Sequence, residues 1–269
     1  MYLQFYGLKE HPFNITPDPR YLFFSQHHQD ALDHIIYGIE HRKGFIELTG
    51  EVGSGKTTLC RAVLARLGKS VQTALILNPF LTDAQFLRAI LHDFGIHARG
   101  RDKLSHAQQL NEFLLERNRQ GMNVAMIIDE AQNLSAQLME QIRLLSNLET
   151  DQHKLLQIVL AGQPELRDRL SAPNLRQLRQ RILVRYHLPP LTRPETALYI
   201  EHRLRTAGSD GRIVFAAAAV DAVFHYSSGV PRLINAVCDN ALLAGYVARS
   251  MHIDETSIAR AIAQLEGSA

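Results

Sequence analysis

A parallel α/β sheet followed by a small all-helical domain is the fold class the sequence predicts, and three observations predict it. Five short apolar runs, "GFIELTG" (44–50), "TALILN" (73–78), "VAMIID" (124–129), "LQIVLAG" (156–162) and "ILVRYHL" (182–188), read as buried strands. Helix-like segments near 57–69, 82–94, 103–120 and 135–150 separate them, and strands alternating with helices imply a parallel sheet covered on both faces. After Leu191 no strand signal appears, and helical spacing continues alone.

Taken in order, residues 1–25 are loop-like, with Pro12, Pro17 and Pro19 among scattered aromatics. From His28 to Arg42 the apolar positions Ala31, Leu32, Ile35, Ile36 and Ile39 keep helical spacing. Thr82 with Gln85, and Thr192 with Glu195, fit capping boxes that open helices. Further helices are expected near 215–227, 231–248 and 254–265, the last capped by Asp254. The predicted domains are residues 1–190, an α/β domain with an N-terminal segment 1–27, and residues 191–269, all helical.

Composition narrows the class. The chain has 269 residues, 46% of them hydrophobic, enough for one large domain or two smaller ones. A net charge of +2 is too balanced to demand nucleic acid. Cys60 and Cys238 lie far apart in helix-like surroundings, so no disulfide framework is expected and a reducing compartment is. The opening "MYLQFYGLKEHPF" lacks a signal peptide's basic and apolar regions. No run of 18 apolar residues occurs; the most apolar stretch, 233–248, contains Asn235, Asp239 and Asn240. The expectation is a soluble, cytoplasmic protein. No spacing matches a metal-binding histidine or cysteine pattern, and His27, His28 and His34 are read as core or surface residues.

"GEVGSGKT" (50–57) satisfies G-x-x-x-x-G-K-[ST] between a predicted strand and a predicted helix. Gly50, Gly53 and Gly55 let backbone N–H groups close around phosphate oxygens, and the helix start adds its dipole. Glu51, Val52 and Ser54 complete the loop, and Thr58 follows it. Lys56 would reach the β- and γ-phosphates of ATP, and Thr57 would ligate Mg²⁺. In "VAMIIDEAQNL" (124–134) an apolar strand ends in Asp129 and Glu130. The first would support Mg²⁺; the second would polarise the attacking water as a base. The adjacent pair points to hydrolysis rather than binding alone.

"SSGVPRLIN" (227–235) poses a separate question. Pro231 suits a first helical position, yet Arg232 then places a cation at an electropositive helix start. An anion is needed there.

These residues resemble the AAA+ ATPases, and within them the bacterial group typified by the secretion ATPase ExeA/GspA and the pilus ATPase MshM. The resemblance runs along the whole chain, through "MYLQFYGLKEHPFNITPDPRYLF", "GFIELTGEVGSGKTTL", "MIIDEAQNL", "LQIVLAGQPEL", "LRQRI" and "SSGVPRLIN". It implies a five-stranded sheet of order 5-1-4-3-2 and a helical lid. It implies that Arg232 is the sensor-2 arginine, whose anion is the γ-phosphate. Gln163 falls at the sensor-1 position, able to orient water or γ-phosphate; many relatives carry Asn, Thr or Ser there. Asn78 falls where a polar residue often restrains the catalytic glutamate. An arginine finger, reaching into a neighbouring subunit's site, would be Arg179 or Arg181. The N-terminal segment would close over adenine, with Phe13 or Ile15 on the base.

The function implied is an ATPase whose nucleotide-dependent homo-oligomer, ring or filament, serves type II secretion or a type IV (MSHA) pilus. Its partner would be an inner-membrane protein, and its place the cytoplasmic face of that membrane. In ExeA-type members a membrane span and a periplasmic region follow the ATPase. The alternative is a DNA-associated regulator resembling the TniB-type transposition helpers. The basic run 167–185 permits it, and its binding would fall steeply with salt.

Overall fold

The computed structural model describes residues 2–16, 18–77, 81–100 and 102–267. Along the chain run α1 (Tyr2–Tyr6), α2 (Gln26–Glu40), β1 (Phe45–Gly50), α3 (Lys56–Leu67), β2 (Val71–Ile76), α4 (Asp83–Asp93), α5 (Lys103–Arg119), β3 (Asn123–Ile128), α6 (Ala136–Leu145), β4 (Gln157–Gly162), α7 (Pro164–Leu170), α8 (Arg176–Arg181) and β5 (Ile182–Leu188). Then follow α9 (Arg193–Thr206), β6 (Val214–Phe215), α10 (Ala217–Ser227), α11 (Pro231–Val247), β7 (His252–Ile253) and α12 (Glu255–Leu265).

The chain divides into two compact units. One comprises residues 29–50 and 59–188 and holds the sheet, whose order β2-β3-β4-β1-β5 is the predicted order read from the other edge. Every pairing in it is parallel. Alternate residues of each central strand feed opposite cores. Val124, Met126, Ile128, Ile158 and Leu160 pack with α4 to α8. Ala125, Ile127, Val159 and Ala161 pack with α2 and the later part of α3. Burial on both faces is why these strands read as unbroken apolar runs.

The other unit comprises residues 1–28, 51–58 and 189–269. Its core joins Tyr6, Phe13 and Tyr21 to Ile200, Val223, Val237, Cys238 and Leu242. Thr192 closes a reciprocal capping box with Glu195 at α9, Thr82 does so with Gln85 at α4, and Asp254 caps α12.

Three expectations are corrected. The N-terminal segment belongs to the same unit as the C-terminal helices and packs with them. The Tyr2 hydroxyl donates to Asp239 at 2.5 Å, and the Tyr6 hydroxyl donates to the Leu242 carbonyl at 3.0 Å. Buried Arg203 donates to the carbonyls of Pro12 at 2.5 Å and Asn14 at 2.7 Å. Residues 2–6, expected as loop, form a helix because Tyr2 and Tyr6, four apart, both turn into that core. The region after Leu191 is not all helical, since β6 pairs with β7. Two residues each leave no strand period to read.

Candidate nucleotide site

The phosphate loop belongs to the unit that contains α11. Gly53 and Gly55 sit in the left-handed region, at φ 79° and 99°, which glycine adopts without a Cβ penalty. Gly50, the last residue of β1, does not. Ser54 N–H donates back to the Glu51 carbonyl at 3.1 Å, the Lys56 ammonium donates to that same carbonyl at 2.8 Å, and α3 begins at Lys56. Lys56 and Ser54 are buried, whereas Glu51 and Val52 are exposed. Thr57 and Thr58 are half-buried in the first turn of α3.

Arg232 sits against this loop. Its backbone N–H donates to the Gly53 carbonyl at 3.3 Å. A Cβ added at Gly53 would lie 2.4 Å from the Arg232 Cβ. Gly53 is therefore glycine for two reasons, its φ and the close approach of α11. The turn before α11 is equally tight. Gly229, at φ 76°, accepts the Leu191 N–H at 2.9 Å, and an added Cβ would lie 1.9 Å from the Leu191 carbonyl oxygen.

His28 supports the loop from beneath. Its Nε2 lies 3.2 Å from the Ser54 carbonyl and its Nδ1 2.7 Å from the Ser25 hydroxyl. Burial pushes its pKa below the usual histidine value. A neutral imidazole protonated on Nε2 satisfies both contacts. Sequence reading gave His28 no role, because nothing in its spacing reveals the contact.

The carboxylates lie in the sheet unit. Asp129 is buried, and its N–H donates to the Ile76 carbonyl at 2.9 Å, extending the β2-β3 ladder. Glu130 takes a left-handed backbone, φ 52°, which is uncommon for a non-glycine residue. Its N–H donates to Asp129 Oδ1 at 3.0 Å. Two side-chain amides converge on its Oε2: Gln132 Nε2 at 2.5 Å and Gln163 Nε2 at 3.2 Å. Gln163 follows β4 directly and precedes Pro164, the first residue of α7. Asn78 lies outside the described residues.

The two finger candidates differ in engagement. One Arg181 Nη donates to Ser146 Oγ at 2.5 Å, Asn147 Oδ1 at 2.6 Å and the Arg143 carbonyl at 3.3 Å, all near the end of α6. Arg179 is exposed. Its carbonyl accepts from Arg185 Nη2 at 2.7 Å, and Arg185 Nε lies 3.2 Å from buried Glu47 on β1. A buried carboxylate needs such a partner. Of the proposed adenine contacts, Phe13 is taken up by the core, edge-on to Phe215, whereas Ile15 is 65% exposed.

Residues 39–170 match the AAA domain family. The matched stretch takes in the phosphate loop, Asp129, Glu130 and Gln163. General secretion pathway protein A of Aeromonas hydrophila is 44% identical over 271 residues, which take in 99% of this chain and 49% of that relative. The resemblance to that secretion group, drawn from the motifs, is met by this match. The chain spans about half the length of the relative.

Solved structures share the fold. The ORC2 protein of Aeropyrum pernix, in ADPNP-ADP complexes, superposes with a TM-score of 0.71 at 17% identity, over 97% of this chain and 72% of that one. Cdc6p of Pyrobaculum aerophilum gives 0.69 at 15% identity, over 90% and 67%. The RuvB Holliday junction branch migration motor of Thermotoga maritima gives 0.61 at 17%, over 90% and 70%. Among the described residues no helix is long and apolar enough to cross a membrane.

Proposed function

We propose that the chain binds ATP with Mg²⁺, hydrolyses it, and completes its active site only on assembly with further copies of itself. The observation that carries this reading is the phosphate loop. Two left-handed glycines, a helix beginning at Lys56 and the close-packed start of α11 surround it. Loop N–H groups and the α3 dipole hold phosphate oxygens. Lys56 supplies a positive charge to the β- and γ-phosphates, and Arg232 reaches the γ-phosphate.

Thr57 and Asp129 offer a hydroxyl and a carboxylate, hard oxygen donors suited to Mg²⁺. That ion is usually held by one or two carboxylates, substrate phosphates and water. Phosphate oxygens and water would complete the coordination. When bound, Mg²⁺ neutralises charge that develops on the phosphoryl group. Glu130 takes a proton from the attacking water. The water oxygen bonds to the γ-phosphorus as the bond to the bridging oxygen breaks, and ADP departs. Gln163 donates to Glu130 and would help orient that water. Arg179 acts as the finger towards a neighbouring copy, because the Arg181 guanidinium is already committed to the end of α6.

The name and identity of the Aeromonas relative support a role in envelope machinery, type II secretion or the related type IV (MSHA) pilus. Nucleotide-dependent assembly, in a ring or filament at the cytoplasmic face of the inner membrane, would then drive an inner-membrane partner. The DNA-regulator reading keeps one supporting observation: Arg176, Arg179 and Arg185 are exposed in the sheet unit. It predicts ATP-dependent duplex binding that falls steeply with salt.

The test is ATP turnover measured against protein concentration with Mg²⁺ present. Specific activity is expected to rise as copies assemble, and Lys56→Ala is expected to abolish nucleotide binding. A specific activity flat across the assembly range would contradict the trans finger. Unchanged binding in Lys56→Ala would contradict the phosphate site.

A further inference from the structure

Glu130 is not simply a carboxylate at the end of a strand. It hangs from a left-handed backbone, and both of its described side-chain hydrogen bonds arrive at one oxygen, Oε2. The shorter comes from Gln132, two residues on. The Gln132 side chain is engaged at its other end as well, since its Oε1 accepts the backbone N–H of Gln163 at 3.0 Å. It is thus a bridge of fixed length from the exit of β3 to the exit of β4.

The bridge is built in from both sides. Arg169, on α7, donates to the carbonyl of Gln132 and, at 2.5 Å, to that of Leu134, which fixes the backbone carrying the bridge. At the other end Gly162 leaves room for it: a Cβ there would meet Gln132 Oε1 at 2.8 Å. The primary amide places a donor and an acceptor on one planar group, so it donates to the carboxylate and accepts from the backbone N–H at the same time. A carboxylate in its place would repel Glu130, and an alkyl group would make neither bond.

We propose that Gln132 is a positioning residue for hydrolysis. It latches Oε2 of Glu130 to the end of β4, fixes the carboxylate rotamer, and so presents Oε1 to the attacking water. The proposal rests on the hydrolytic reading given above. The latch touches neither phosphate nor metal. It acts only through the orientation of the base, and small misplacements of a reacting group are costly to rate.

The experiment compares Gln132→Met, which keeps the volume and removes both hydrogen-bonding groups, with Gln132→Ala, Glu130→Gln and the double variant Glu130→Gln/Gln132→Met. Turnover and the dissociation constant for ATP with Mg²⁺ are measured for each. Gln132→Met and Gln132→Ala are each expected to lower kcat on the order of 10- to 100-fold, with nucleotide affinity within about twofold of the wild type. In the Glu130→Gln background the second substitution is expected to cost nothing further, because the group it positions has gone. A role confined to holding the loop together would instead weaken binding and turnover in parallel, and would overturn the proposal. So would turnover lost in Glu130→Gln but kept in both Gln132 variants, an outcome that leaves the hydrolytic reading standing. Absence of turnover in the wild type, or full turnover in Glu130→Gln, would overturn the hydrolytic reading and the latch with it.

Discussion

The phosphate loop and the carboxylate end of β3 solve the same kind of problem in different materials. The loop is built from backbone. Gly53 and Gly55 take conformations closed to most residues, and the α11 backbone binds the Gly53 carbonyl. The carboxylate end is built from side chains: Gln132, Gln163 and Arg169 supply the bonds that hold Glu130 and its loop. A backbone device constrains residue type at fixed spacing and tolerates almost no substitution. A side-chain device can lose one member and still fold, with its function reduced.

The largest effect should come from an arginine on the side-chain side. Arg179→Ala is expected to lower kcat by about 10³-fold at concentrations where the wild type is assembled, the low end for a lost finger. Arg181→Ala should instead cost roughly 1 kcal/mol of stability, since its hydrogen bonds close the end of α6 and are partly solvent-exposed. Turnover and thermal unfolding of the two variants separate these effects. The reverse assignment of losses would make Arg181 the finger.

Next come two glycines that contrast the materials directly. Gly53→Ala adds a strained φ, about 1–2 kcal/mol, to the steric conflict with Arg232. Nucleotide affinity should fall roughly 100-fold. Gly162→Ala adds no such strain, and the two atoms it would meet most closely, Gln132 Oε1 and Leu166 Cδ2, are ends of side chains, with Leu166 Cβ next at 3.1 Å. It should bind nucleotide normally and lose about tenfold in kcat as the latch is displaced. Titration of nucleotide against both variants checks the contrast. Equal losses of affinity would erase the distinction between the two regions.

The same difference governs what was legible in the sequence. The strands followed from five apolar runs, because Met126, Ile127, Val159 and Leu160 are all buried on one face or the other, whereas their order came from the family resemblance. Helix starts followed from Thr82, Thr192 and Asp254, whose caps are local. The loop at 50–57 followed from glycine spacing, which backbone geometry enforces. What stayed hidden depends on partners distant in sequence. Tyr2 meets Asp239 and Arg203 meets Pro12, which carries the N-terminal segment to the helical unit. Gln132 stands beside Glu130 in "DEAQ", yet only the approach of β4, bringing Gln163, makes it a bridge. His28 reads as one histidine among 13, and only the folded loop gives it a carbonyl to hold. Glu47 is one polar residue in the apolar "GFIELTG", and its arginines come from later in the chain.

The central claim is that the loop binds ATP and that Glu130 drives its hydrolysis. It is tested most directly by measuring, in one preparation of Glu130→Gln, both ATP affinity and steady-state phosphate release. The account predicts wild-type affinity with release reduced at least about 100-fold, the range typical of a lost general base. Release at the wild-type rate would contradict it.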